Sequence, residues 1–195
     1  MDGINKNYIT KIFGLAGETA VVTGGLGQLG SEYVRALALA GAKVAVLDIA
    51  KKYNPKIKEL IKNKYPVALY QADITKKKEI QAVFKKISLK LGVPTILVNN
   101  AGLDSPPGAS AKENGPYEDY PEESWDAIID SNLKGMFMVS QEFLRNIKPS
   151  KKSGSIINIY GTVRIAGVLE SKSYSFRRSS IWRKRIWKSY EISYT

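Results

Sequence analysis

The stretch TGGLGQLG, residues 23–30, decides the fold of this chain. It follows the apolar run Thr19-Ala20-Val21-Val22 and opens a pattern typical of an amphipathic helix. Gly25, Gly27 and Gly30 form a G-x-G-x-x-G pattern, in which the glycines allow backbone N–H groups to approach a pyrophosphate at the amino end of a helix. The stretch therefore predicts a strand, a glycine turn and a helix that together bind a dinucleotide.

A second strand ends on a carboxylate where a ribose-binding acid is expected. Gly41 ends the first helix, the apolar run 43–47 follows, and Asp48 comes directly after it. The acid that bonds the ribose in such folds stands about 20 residues after the glycine turn. Asp48 is therefore the predicted ribose ligand.

Strands and helices alternate along the rest of the chain. Three more strands are predicted at 67–70, 95–98 and 155–159, with helices at 55–64, after an N-cap at Thr75, and from about Trp125 to Leu144. This order predicts an α/β fold with a doubly wound parallel sheet, helices on both faces, and ligands at the carboxyl ends of the strands.

The composition restricts the available chemistry. The 195 residues contain neither cysteine nor histidine, which excludes disulfides, imidazole metal ligands and Ser-His or Cys-His nucleophiles. Proton transfer must then use Tyr, Lys, Asp or Glu, and no metal site is predicted. No membrane-spanning run or signal-like leader is evident, so a cytoplasmic protein is expected.

The net charge of +12 is concentrated in the C-terminal tail. From Tyr160 onward there are eight Lys and Arg residues and only two acidic residues, so these 36 residues carry half of the net charge. The predicted domains are accordingly a nucleotide-binding domain at 1–160 and a basic, aromatic-containing tail at 161–195. Three explanations of the tail remain open: a binding helix for nucleic acid or membrane, an unusual catalytic helix, and residues foreign to the domain because the coding sequence is shifted or truncated.

The ordered motifs resemble those of the short-chain dehydrogenases/reductases. The resemblance covers roughly residues 10–160 and rests on Thr23-Gly24-x-x-Gly27-x-x-Gly30, Asp73, Asn99-Asn100-Ala101-Gly102, Asn132 within Ser131-Asn132-Leu133-Lys134-Gly135, and Gly154-Ser155-Ile156-Ile157-Asn158-Ile159. It implies a Rossmann-like domain whose C-terminal part is incomplete, because family members continue past this length. Gln28 stands where the classical branch of the family has glycine.

The resemblance also implies where a cofactor lies. It places Gly24, Gly27, Leu29 and Gly30 at the phosphates, Asp73 and Ile74 beside the adenine, and Asn99, Ala101 and Gly102 along the cofactor. The charge of Asp48 favours NAD over NADP, although Lys51 and Lys52 leave NADP open. Each residue also has a purely structural alternative, in which Asp48 and Asp73 are loop acids or caps and Asn132 is a buried helix polar group.

The catalytic half departs from the family pattern. In the family, a tyrosine transfers the proton, and a lysine one helical turn later stabilises its phenolate. A serine binds the substrate oxygen, and an asparagine, here Asn132, supports a water relay. The expected serine is replaced by the sequence Tyr160-Gly161-Thr162, and the Tyr-x-x-x-Lys signature is missing. The two candidate tyrosines are Tyr174, which has Arg178 in place of the lysine, and Tyr194, which is so near the end of the chain that no lysine follows it.

Three functional hypotheses follow. The first is a short-chain oxidoreductase that transfers a hydride between NAD and a small alcohol or carbonyl compound, as a homo-oligomer if complete; whether this form is active stays open, because the catalytic signature is not intact. The second is a nucleotide-binding remnant without catalysis. The third, which the charge distribution disfavours, is a nucleic-acid-binding protein that uses the basic tail.

Overall fold

The computed structural model describes residues 12–103, 117–159 and 190–192. Tyr174 and Tyr194, together with Thr162 and Arg178, lie outside the described residues. Nearly all of the tail lies outside them as well, so the boundary between the two predicted domains stays a prediction.

A single sheet forms the centre of the described structure. Its strands are β1 Thr19–Thr23, β2 Lys43–Asp48, β3 Val67–Gln71, β4 Ile96–Asn99, β5 Gly154–Asn158 and β6 Tyr190–Ile192. Their order in space is β3-β2-β1-β4-β5-β6, and the first five are parallel. Strand order reverses next to β1, so the carboxyl end of β1 lies at the switch point where α/β sheets bind ligands.

Helices cover both faces of this sheet. They are α1 Gln28–Leu39, α2 Pro55–Lys62, α3 Lys77–Lys90, α4 Glu122–Ile129, a π-helix at Asp130–Gly135, and α5 Met136–Ile147. On one face α1 and α2 pack on alternate strand residues, with Val34 and Ile57 fully buried. On the other face α3 and α5 do the same through Phe84 and Phe143. The predicted doubly wound α/β fold is confirmed.

The central strands are apolar throughout because both of their faces are covered. All five residues of β1 are buried, including Thr19 and Thr23 at its ends. The threonine hydroxyls find internal partners, since Thr19 Oγ1 donates to the carbonyl of Leu91 at 2.9 Å. β1 therefore forms a fixed platform for the glycine turn at its carboxyl end.

Three details differ from the sequence-based prediction. Thr75 is not an N-cap: the cap position is Lys76, and the Thr75 hydroxyl donates to Asp73 Oδ1 at 2.7 Å. The predicted continuous helix through Leu133 contains the six-residue π-helix in its middle. Finally, β6 is antiparallel to β5 and was not predicted, because three residues are too few to carry a strand pattern.

Candidate nucleotide-binding site

The glycine turn is tightly folded against the loop that follows β4. The amide of Gly24 donates to the carbonyl of Leu47 at 2.7 Å, and Gly24 has a φ of 62° in the left-handed region, which favours glycine. A Cβ at Gly24 would lie 2.8 Å from the Cα of Ala101, and one at Gly30 would lie 2.1 Å from the carbonyl oxygen of Gly24. Backbone passes so close to backbone here that side chains are excluded.

The amino end of α1 opens directly from this turn. Gly27 occupies the N-cap and offers no side chain to the first amides of the helix. Gly27 and Leu29 are both exposed, and no acidic residue occupies the first helical turn. Uncapped N–H groups and the positive end of the helix dipole thus face outward, which is the arrangement that binds phosphate.

Asp48 is fixed beside the turn by two backbone amides. Its Oδ2 accepts from the amide of Leu26 at 2.9 Å, and its Oδ1 accepts from the amide of Ala50 at 3.0 Å. A carboxylate has about four acceptor sites, so each oxygen keeps capacity for a further donor such as a ribose hydroxyl. The predicted ribose ligand and the predicted phosphate turn are therefore in direct contact.

Asn54 supports the same turn and was missed by the sequence-based prediction. Its Nδ2 donates to the carbonyl of Leu26 at 2.9 Å, while its Oδ1 caps α2 by accepting from the amide of Ile57 at 2.9 Å. An Asn directly before Pro55 is a recognised helix-start signal, so the cap was visible in the sequence. The bond to Leu26 was not, because it joins residues 28 positions apart.

The loop after β4 is tied to the turn through Thr23 and Asn100. Thr23 Oγ1 accepts from the amides of Asn100 and Ala101, each at 3.0 Å. Asn100 Nδ2 lies 3.1 Å from the carbonyls of both Thr23 and Gly24, to which it donates. Ala101 therefore lies beside the glycine turn, Gly102 follows it, and both are at least partly accessible; their position along a cofactor stays a prediction.

Asn99 differs from its neighbours because its side chain faces the interior. The residue is only 3% exposed, and its Nδ2 donates to Ser140 Oγ at 2.9 Å and to Asn158 Oδ1 at 2.8 Å. These bonds join β4, β5 and α5. Asn99 thus holds the sheet under the site rather than presenting its side chain to a ligand.

Asp73 and Ile74 follow β3 at the same edge of the sheet. Burial opposes ionisation of Asp73, but hydrogen bonds from the hydroxyl and amide of Thr75, with the nearby Lys76 ammonium, outweigh it and hold its pKa below the ordinary value. Asp73 therefore serves as a turn acid. The Asp73 side chain is still 30% exposed, so its carboxylate is accessible at this edge of the sheet, whereas Ile74 beside it is buried.

Asn132 is the predicted catalytic residue that the structure describes. It lies in the π-helix, and its side chain forms two bonds with one residue: its Oδ1 accepts from the amide of Leu103 at 2.7 Å and its Nδ2 donates to the carbonyl of Leu103 at 2.8 Å. A Cβ at Gly102 would lie 3.2 Å from Asn132 Oδ1. Asn132 is thus brought to the carboxyl edge, next to Ala101 and Gly102.

A separate cleft of about 640 Å³ lies at the opposite edge of the sheet. It is formed around the starts of β4 and β5, where Thr95 donates a hydrogen bond to Glu18. Glu18 is the one ionisable side chain among its described lining residues. The cleft shares no residue with the site predicted from the sequence.

The comparison with protein families agrees with this geometry. The family model described as short chain dehydrogenase matches residues 18–176, which is most of the chain. The chain belongs to the short-chain dehydrogenase family. The match supports the prediction of a short-chain oxidoreductase and gives no support to the nucleic-acid-binding alternative.

Individual known proteins resemble this chain over part of their length. An uncharacterized oxidoreductase, YgcW of Escherichia coli K12, is 35% identical over 170 residues, which span 87% of this chain and 61% of that protein. The 5-keto-D-gluconate 5-reductase of the same organism is 29% identical over 76% of this chain and 55% of its own length. The crystal structure of gox2181 superposes with a TM-score of 0.67 at 29% identity, over 76% of this chain and 55% of that one.

This short-chain dehydrogenase sequence therefore spans somewhat more than half the length of the relatives described above. Among the residues that the structure describes, no helix is both long and apolar enough to cross a bilayer.

Proposed function

We propose that the chain binds NAD along the carboxyl edge of its sheet and transfers a hydride between NAD and the alcohol or carbonyl group of a small molecule. The observation that carries the proposal is the contact between the predicted phosphate turn and the predicted ribose ligand. The uncapped amino end of α1 supplies phosphate donors, and Asp48 bonds to Leu26 in the same turn.

The preference for NAD over NADP rests on how firmly Asp48 is held. With each carboxylate oxygen bonded to a backbone amide, the side chain cannot turn away from a 2′-phosphate without breaking a hydrogen bond. Lys51 and Lys52 are exposed and are not tied to the turn in this way. Repulsion by Asp48 is therefore expected to outweigh attraction by the two lysines.

Calorimetric titration of the full chain with NAD and with NADP tests this proposal. NAD is expected to bind more tightly than NADP. Asp48→Asn is expected to reduce the ratio of the two affinities about tenfold, because it removes one charge interaction of about 1.4 kcal/mol. Asp126→Asn removes the same charge from the exposed surface of α4 and serves as the matched control. Tighter binding of NADP by the unaltered chain would contradict the preference.

Hydride transfer needs a proton carrier besides the cofactor. When bound, NAD accepts or donates the hydride, and the residues of the chain must orient the substrate and move the proton. We propose that Asn132 supports a water relay and that either Tyr174 or Tyr194 carries the proton, because the chain has no histidine or cysteine that could serve instead. The position of Asn132 beside Ala101 and Gly102 supports its part in this proposal.

An absorbance assay of the interconversion of NAD and NADH, run with Tyr174→Phe and Tyr194→Phe, separates the candidates; with a keto acid as substrate it follows the oxidation of NADH. One of the two variants is expected to abolish turnover while leaving NAD affinity unchanged. The relative named 5-keto-D-gluconate 5-reductase makes that keto acid the first substrate to try. Binding without any turnover would support the nucleotide-binding alternative, and light scattering on the same preparation would test the expected homo-oligomer.

A further inference from the structure

The π-helix contacts two separate loops at the carboxyl edge. Its last residue, Gly135, packs against Ile74 in the loop after β3. Its third residue, Asn132, is bonded on both sides of its amide group to Leu103 in the loop after β4. The π-helix therefore joins the loop next to Asp48 to the loop that carries Ala101 and Gly102.

The contact at Gly135 leaves no room for a side chain. A Cβ there would lie 2.9 Å from Ile74 Cδ1, 3.0 Å from Ile74 Cγ1 and 3.2 Å from the carbonyl oxygen of Asp130. Ile74 is only 8% exposed and belongs to the core between α3 and α5, so its side chain cannot simply swing into solvent. Any displacement of Ile74 is therefore passed to the π-helix.

The base of a bound nucleotide would lie against this loop. Asp48 pairs with Gln71 in the register of β2 and β3, and the amide of Ala72 donates to the Asp48 carbonyl at 3.0 Å. The resemblance to the short-chain dehydrogenases implies that the adenine lies beside Asp73 and Ile74, and this loop adjoins Asp48, the predicted ribose ligand. π-Helical turns are rare and occur frequently at functional sites.

We propose that Gly135 and Ile74 are positioning residues for Asn132, through which the adenine half of the cofactor tightens the pairing of Asn132 with Leu103. This inference rests on the proposed function, because it requires nucleotide binding at the carboxyl edge. An adenine bound beside Ile74 would restrain the Ile74 side chain, which in turn restrains Gly135. The π-helix then holds Asn132 against the loop where the hydride would be transferred.

Hydrogen exchange of the Leu103 amide, measured with and without ADP, tests the coupling. ADP carries the adenine and two phosphates but no nicotinamide, so its effect can reach Leu103 through Ile74 and the π-helix or through the glycine turn, which is bonded to Asn100 and Ala101. The variant Gly135→Ala separates the two routes, because it alters only the first. In the unaltered full chain ADP is expected to slow this exchange by at least about fivefold, the lower end of typical site-to-site coupling. Gly135→Ala is expected to keep ADP binding and lose most of that protection.

Rescue distinguishes positioning from general damage. Ile74→Ala removes both side-chain atoms that crowd a Cβ at position 135, so the double variant Ile74→Ala/Gly135→Ala is expected to recover stability relative to Gly135→Ala alone. It is not expected to recover the protection of Leu103, because that protection needs the Ile74 side chain. Gly154→Ala is the matched control, since its Cβ would lie 2.4 Å from Ile147 Cδ1 at the other edge of the sheet. It is expected to lower stability without changing the response of Leu103 to ADP.

The possible outcomes separate the two proposals. If the unaltered chain binds ADP and Leu103 shows no protection, or if Gly135→Ala keeps full protection, the coupling is wrong while nucleotide binding stands. If calorimetry shows no ADP binding by the unaltered chain, the proposed function fails and the coupling fails with it. Should Gly135→Ala not fold, Ile74→Val removes Cδ1 alone and is expected to weaken the protection; unchanged protection would overturn the coupling.

Discussion

Gly30 has the least room for a side chain among the glycines of the turn. The nearest atoms to a Cβ are the carbonyl oxygen of Gly24 at 2.1 Å and Nδ2 of Asn100 at 2.8 Å, and both are held in place by other bonds. Gly30→Ala must therefore displace backbone. We expect a loss of stability of about 1–3 kcal/mol, typical of overpacking, together with weaker NAD binding.

Gly27→Ala is the matched comparison for Gly30→Ala. Its Cβ would lie 3.2 Å from the same Gly24 carbonyl oxygen, a contact that a shift of a few tenths of an ångström relieves. Urea unfolding and NAD titration of both variants should show the smaller effect for Gly27→Ala. Equal stability of the Gly30→Ala variant and the unaltered chain would contradict the close approach.

At the scale of the element, Asn54 links α2 to the glycine turn. Asn54→Ala removes the cap on Ile57 and the donor to the Leu26 carbonyl, and we expect it to cost about 1 kcal/mol of stability through the lost cap alone. Asn54→Asp keeps the acceptor for Ile57 but loses the donor to Leu26. It should retain stability better than Asn54→Ala while still weakening NAD binding, as thermal unfolding and calorimetry can show.

The order and type of most elements could be predicted because each depends on local pattern. β1, β2 and β3 are apolar runs bounded by turns, and glycine spacing identified the turn before α1. The π-helix could not be predicted, because its apolar spacing is close to that of an ordinary helix. Its wider winding coincides with contacts from Ile74 and Leu103, which come from distant parts of the chain.

The site shows the same division between local and distant information. Asp48 was predicted because its distance from the glycine turn along the chain is characteristic of the fold. The inward direction of Asn99 was not predicted, since its partners Ser140 and Asn158 are 41 and 59 residues away. Thr75 was assigned as a cap on residue type, whereas its hydroxyl pairs with Asp73, which precedes it by two residues.

At the scale of the whole molecule, acid is expected to destabilise the fold. The chain already carries a net charge of +12, and protonation of its 18 acids increases self-repulsion. Asp73 adds a specific contribution, because its pKa in the folded chain lies below the ordinary value of 3.8. A lowered carboxyl pKa stabilises the folded state above the ordinary pKa, and this stabilisation disappears as the pH falls through the folded-state pKa.

The variant Asp73→Asn tests this contribution. Between about pH 5 and pH 3, it should lose less stability than the unaltered chain, because the carboxyl that takes up the proton is absent. Thr75→Val, which removes the hydroxyl donor but keeps the backbone one, should lie between the two. Urea midpoints measured across this range provide the comparison, and parallel pH curves for all three proteins would contradict it.

The position of β1 between β2 and β4 has a consequence for how the chain folds. β1 pairs on one side with β2 in the register Ala20↔Val44, but on the other side with β4 in the register Ala20↔Ile96. The second pairing closes a loop that contains α1, β2, α2, β3 and α3, and long loops of this kind slow folding. During synthesis the apolar edge of β1 therefore stays open until β4 has left the ribosome, a period in which the nascent chain is exposed to aggregation.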